Sequence, residues 1–246
     1  MRAPAEDVTG TLAGKTVLIT GGDTGVGKKI AVSLAAQGAQ VVIQHPHAPE
    51  SAADVVKEIT GSGGSALALA ADIGDRLEYE ELVQALLEEC GHWDVLVTTT
   101  AAALSTSLAE LTADEFDSAF ATPARGVLHG LQLASAHLAD GGRVITVANA
   151  APPGNTVDEA ATGAIAEFTR ALAADFTPRR IAVNAVSAAT GNLDPNATTA
   201  ARLLGPVSET TEISEVVAFL ASDAAEAVTA QHIRVAEGGP GTGKTA

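Results

Sequence analysis

Residues 19–31 read ITGGDTGVGKKIA, and the join inside this stretch decides the fold. The run TVLIT from Thr16, which overlaps its start, has the short, apolar, β-branched composition of a buried strand. From Gly25 onward the chain turns to helical period, and Gly21, Gly22, Gly25 and Gly27 lie where the two meet. Glycine permits positive φ in the turn and lets a pyrophosphate reach the backbone. The helix start offers unpaired N–H groups and the positive end of its dipole. Strand, glycine turn and helix in that order predict a dinucleotide cradle in an α/β fold.

Outward from this join the same alternation continues. Strand-type runs begin at Thr16, Val41, Ala66, Asp94, Arg143, Arg180 and Ile233. Helical spacing covers 25–38, 49–61, 75–90, 112–138, 156–176 and 211–222. Seven strands interleaved with helices predict one Rossmann-type, doubly wound parallel sheet with helices on both faces, in a single domain spanning residues 1–246. Residues 188–210, with Gly191, Pro195, Gly205 and Pro206, read as a long loop beyond a strand's carboxyl end.

Composition narrows the function classes. The 246 residues are 46% apolar, enough for one large core. A net charge of −16 repels nucleic acid and anionic membranes, and no run has the length of a membrane span. The single cysteine, Cys90, excludes an internal disulfide and a cysteine-built zinc site, and it suits a reducing, cytoplasmic setting. His45, His47 and Glu50 do not make up an evident metal site.

The spacing Thr-Gly-x-x-x-Gly-x-Gly from Thr20 to Gly27 resembles that of the short-chain dehydrogenase/reductase family, and the resemblance spans nearly the whole chain. It includes ADIGD from Ala71, FTRALAADF from Phe168, RIAVNAVSAAT from Arg180 and the run EVVAFLASDAAEAVTAQHIRVAEGG from Glu215, which follow the oxoacyl carrier-protein reductase pattern. The resemblance implies that Gly21, Asp23, Thr24, Gly25, Val26 and Gly27 hold a dinucleotide. Asp72 would hold the adenine amino group, with Ile73 packed beside it. After the second strand the chain has neither Asp nor Arg but VVIQHPHAPES, so Gln44, His45 and Ser51 point to the 2′-phosphate of NADP, with NAD as the other candidate.

The family's redox chemistry uses a tetrad of Asn, Ser, Tyr and Lys. By the resemblance these positions fall on Pro123, Asn149, Asp158 and Thr162, so every member is replaced. The only tyrosine is Tyr79, and no lysine occurs between Lys57 and Lys244. Thr98, Thr99, Thr100 and Ala101 stand where Asn-Asn-Ala-Gly is expected, and Ala188 and Ala189 replace a Pro-Gly. Pro123 also disfavours helix at Thr122. The expectation is therefore a binding or subunit-pairing protein that has lost the family's redox chemistry. Two alternatives stand beside it. One is an NADP-dependent oxidoreductase with an unfamiliar proton donor; the other is a non-redox lyase or isomerase in which Asn149, Asp158 and Thr162 line the cleft. The run TVDE from Thr156 also has the form of a capping box, in which Asp158 serves the helix start.

The resemblance further implies a homodimer or homotetramer, with an active reductase as a conceivable mixed partner. Ile165, Phe168 and Leu172 form an apolar stripe at helical spacing, and Ala161, Gly163, Ala164 and Ala171 form a small-residue face open to a partner helix. Residues 238–245, GGPGTGKT, match a phosphate-loop pattern, but only Ala246 follows, so no helix can start there and the match reads as a glycine-rich tail.

Overall fold

The computed structural model describes residues 10–100, 109–148, 156–189 and 212–236. The elements alternate as β1 (Thr16–Thr20), α1 (Gly25–Ala36), β2 (Gln40–His45), α2 (Pro49–Gly61), β3 (Ser65–Ala70), α3 (Arg76–Cys90) and β4 (Val95–Thr100). They continue as α4 (Ala113–Phe116), α5 (Thr122–His137), β5 (Arg143–Ala148), α6 (Thr156–Phe176), β6 (Ala182–Ala189), α7 (Glu212–Ala221) and β7 (His232–Ala236). Seven strands form one sheet in the order β3-β2-β1-β4-β5-β6-β7, and every neighbouring pair is parallel. The expected Rossmann-type α/β fold is present.

Strand alternation sorts the core into two layers. Val17, Ile19, Val41, Ile43, Val95 and Val97 face one layer with Ile30 and Leu34 of α1, Val55 of α2 and Leu220 of α7. Leu18, Val42, Leu96 and Val144 face the other, with Leu82 of α3, Leu131 of α5 and Ile165 of α6. Both faces are covered, which is why these strands read as continuous apolar runs rather than alternating ones. The strand order reverses between β1 and β4, and in open α/β sheets such a switch point, at the carboxyl ends of the strands, is where ligands bind.

Two sequence expectations need correction. Thr122 is helical, with φ −67° and ψ −53°, although Pro123 follows it. The chain accommodates the proline by widening the preceding turn into a π-helix, Asp117–Ala121, in which Thr122 N–H donates to the Asp117 carbonyl five residues back. The expected single helix over 112–138 is thus α4, a π-turn and α5 in series. A π-turn displaces the carbonyls that a proline ring would otherwise strike, so helix continues through the obstacle.

The second correction concerns β6. It runs through Ala188 and Ala189, which pair with Val235 and Ala236 of β7, so these two residues of the expected loop belong to the strand. Alanines keep the backbone N–H groups that a proline would remove, and the ladder extends. The expected start at Arg180 also moves, because Arg180 takes positive φ, +56°, and the strand begins at Ala182. Residues 190–211 and the 238–245 phosphate-loop match lie outside the described residues.

Candidate functional site

The glycine turn follows β1 at this switch point. Gly21 and Gly25 adopt φ of +60° and +54°. At Gly27 a Cβ atom would lie 2.1 Å from the Gly21 carbonyl oxygen, so only glycine lets α1 come this close to the turn. Thr24, at the N-cap of α1, makes no side-chain cap hydrogen bond, which leaves the first-turn amides of a twelve-residue helix without a side-chain acceptor. Thr24 and Gly25 are exposed, and Val26 is half-buried. Positive φ, close approach and an uncapped helix start together fit a pyrophosphate.

Neighbouring strands hold this turn from below. Gly21 N–H donates to Gln44 Oε1 at 2.9 Å, and Gln44 Nε2 donates to the Ala71 carbonyl at 2.6 Å. Gln44 is only 2% exposed, so it links the glycine turn of β1 to the end of β3 rather than facing a ligand. Thr99 repeats the device on the other side. Its N–H donates to Thr20 Oγ1 at 3.1 Å and its hydroxyl donates to the Thr20 carbonyl at 2.7 Å, tying β1 to β4 at the switch point. The sequence reading did not single out Thr99 as a support. Only the β1–β4 pairing brings it beneath Gly21, and the signal within the sequence was no more than a polar residue ending an apolar strand.

The β2 end carries three polar groups. Asp23 in the glycine turn is 7% exposed, and its Oδ2 accepts from Ser51 Oγ at 2.9 Å. His45 is 5% exposed, and its Nδ1 has no hydrogen-bond partner. His47 is exposed in the following loop. At the β3 end Asp72 is exposed, with Oδ1 accepting from Gly74 N–H at 2.8 Å, while its own N–H donates to Glu78 Oε2 at 2.7 Å. Ile73 is half-buried and its carbonyl lies 3.2 Å from His129 Nδ1.

The segments after β5 are described in part. Asn149 lies outside the described residues, and Asp158 stands on the first turn of α6 with its side chain likewise outside them. Thr162 follows one turn later and is half-buried. Behind these positions a buried chain of hydroxyls links three elements. Thr98 of β4 and Thr169 of α6 both reach Thr146 Oγ1 of β5, at 3.2 and 3.1 Å. Tyr79 is nowhere near: it is fully buried under the sheet among Leu82, Leu96 and Leu131, burial pushes its phenol far above the usual tyrosine range, and its hydroxyl has no partner. A further polar group, missed from the sequence, bridges β6, β7 and α6: Ser187 Oγ lies 2.8 Å from His232 Nε2, and His232 Nδ1 lies 3.8 Å from Glu167.

Comparison with known proteins identifies the scaffold. A family profile described as enoyl-(acyl carrier protein) reductase matches residues 21–239. The chain is 34% identical to a versicolorin reductase of Emericella nidulans, over 91% of this chain and 95% of that protein. It is 33% identical to a hydroxynaphthalene reductase-like protein of Metarhizium majus, over 96% of this chain and 98% of that one. Among solved structures, a short-chain dehydrogenase from Burkholderia cenocepacia in complex with NADP superposes with a TM-score of 0.78 at 29% identity, covering 93% of this chain and 98% of the other. These matches overturn the expectation of a binding or subunit-pairing protein without redox chemistry, because relatives aligned over nearly their full lengths are reductases and dehydrogenases. The chain belongs to the short-chain dehydrogenase/reductase family.

Proposed function

We propose that this protein is an oxidoreductase that reduces or oxidises a small carbonyl or alcohol with a nicotinamide dinucleotide seated on the glycine turn. The observation that carries the reading is the cradle itself: Gly21 and Gly25 at positive φ and Gly27 packed against the turn, below an uncapped helix, in a chain aligned over 91% of its length with a reductase. Gly21, Asp23, Thr24, Gly25, Val26 and Gly27 would hold the pyrophosphate and adjoining ribose. Asp72 and Ile73 would flank the adenine. Gln44 acts on the ligand only through Gly21, which it positions.

The dinucleotide supplies or accepts the hydride; the chain must manage the proton. A tyrosine does not do this, since the only one, Tyr79, is sealed in the core. We assign the proton to Asp158, with Thr162 one turn away on the same helix face and Asn149 after β5 as hydrogen-bonding neighbours, while Pro123 shapes the helix beside them. A carboxyl group can donate only while it holds its proton, so reduction by this site should favour acid pH relative to a tyrosine site.

The exposed face of α6 supports an assembly reading. Phe168 is 38% exposed rather than part of the core stripe, and it shares that face with exposed Ala164 and Ala171. Ile165 and Leu172 instead pack inward, as does Ala161. We assign this face to contact with a second copy in a homodimer or homotetramer. Among the described residues no helix is long and apolar enough to cross a membrane.

The test is turnover of NADH and NADPH against ketones, quinones and oxoacyl thioesters, with Asp158→Ala and Asn149→Ala alongside. Turnover that falls by about 10²-fold or more in Asp158→Ala supports the assignment. Turnover that survives both substitutions places the proton donor elsewhere, and none with any substrate class sinks the oxidoreductase reading.

A further inference from the structure

We propose that Asp23 makes this cradle select NAD(H) over NADP(H), a choice that rests on the oxidoreductase reading but goes beyond it. Sequence alone pointed to the 2′-phosphate, through Gln44, His45 and Ser51. In the fold, two of these three groups are already engaged. The amide of Gln44 accepts from Gly21 and donates to Ala71, and the one proton of the Ser51 hydroxyl is directed to Asp23 Oδ2 at 2.9 Å or the Ala48 carbonyl at 3.1 Å.

What stands at the β2 end instead is a carboxylate. Asp23 belongs to the glycine turn, yet its bond to Ser51 on the first turn of α2 carries it across to the β2–α2 connection, where the adenosine ribose of a bound dinucleotide must pass. Its Oδ1 takes no hydrogen bond from the described residues and is not among their sealed, unpartnered atoms, so it retains access to a ligand. A carboxylate oxygen accepts from a ribose hydroxyl. A 2′-phosphate at the same place carries a charge of about −1.5 to −2 at pH 7 and is repelled.

The third group, His45, is 5% exposed and its Nδ1 is sealed within the protein, so that nitrogen does not face a 2′-phosphate. No compensating cation lies in the connection: residues 44–56 contain neither Lys nor Arg, and Lys28 of α1 is paired with Glu58 at 2.9 Å.

Calorimetry of the full chain with NADH and with NADPH tests the choice without any substitution. We expect NADH to bind at least about tenfold more tightly, and Asp23→Asn, which keeps an acceptor for Ser51 but removes the charge, to narrow that ratio by about tenfold through tighter NADPH binding. Asp23→Ser should act in the same direction, and thermal melts of both variants report whether the fold is kept. Equal or tighter binding of NADPH by the natural chain overturns the proposal and returns His45 and Ser51 to a phosphate site. An unchanged ratio in folded Asp23→Asn also overturns it. Binding of neither dinucleotide at millimolar concentration is a different failure: it removes the cofactor reading itself, and this proposal with it.

Discussion

Tyr79 separates a residue's presence from its use. A phenol is the proton donor one would seek in this family, but here the hydroxyl is buried without a partner and a Cβ on Gly130 would lie 2.9 Å from it. Tyr79→Phe should therefore leave turnover unchanged and raise stability by roughly 1 kcal/mol, since it removes an unsatisfied buried group, as a urea titration would show. His232 gives a pH signature. Burial holds its pKa below the ordinary histidine value, aided by Arg234 and Arg170 and opposed by Glu167. A lowered pKa means that the unfolded chain takes up a proton before the folded one does. The contribution is fully present above about pH 6.5 and is lost as pH falls through the window between that value and the lower folded pKa. His232→Asn should flatten the decline in melting temperature between pH 7.5 and 5.5 relative to the natural chain; parallel declines would show that His232 does not titrate as described.

At the scale of elements, the join of β1 to α1 depends on one missing side chain. Gly27→Ala sets a Cβ against the Gly21 carbonyl at 2.1 Å, and backbone cannot swing aside as a side chain can. The substitution should cost roughly 1–3 kcal/mol by overpacking and, by moving the turn, abolish dinucleotide binding. Calorimetry and denaturation together separate the two effects. Helix α6 carries a second test. Phe168 is exposed beside alanines, so Phe168→Glu should shift the protein toward a 24.6 kDa monomer in sedimentation without lowering its melting temperature as a core substitution would. A natural chain that is already monomeric would remove the assembly assignment.

For the whole molecule, the cradle is assembled from four strands that are far apart in the chain. Gln44 joins β1, β2 and β3, and Thr99 joins β1 and β4, so a ligand on the glycine turn bears on half the sheet at once. Saturating dinucleotide at a hundred times its Kd should stabilise the fold by about 2.7 kcal/mol, read as a single shifted melting transition. Two transitions, only one of them moved, would mean that the sheet does not act as one cooperative unit.

The strand–glycine–helix join, the seven-strand alternation and the layered apolar pattern were legible in the chain because local period and glycine placement carry them directly. The assignment of the family's tetrad positions to Pro123, Asn149, Asp158 and Thr162 rests on the resemblance alone, and its reading as lost chemistry went too far, because relatives aligned over nearly their full lengths are reductases. Tertiary structure alone decided how a proline could sit inside a continuing helix, since that required the π-turn before it. It also decided what the polar residues gathered at the end of β2 do. Gln44, Ser51 and Asp23 are 28 positions apart at most in chain, but their hydrogen bonds are made across strand pairings and between a turn and a helix start, and no periodicity in a sequence records a contact of that kind.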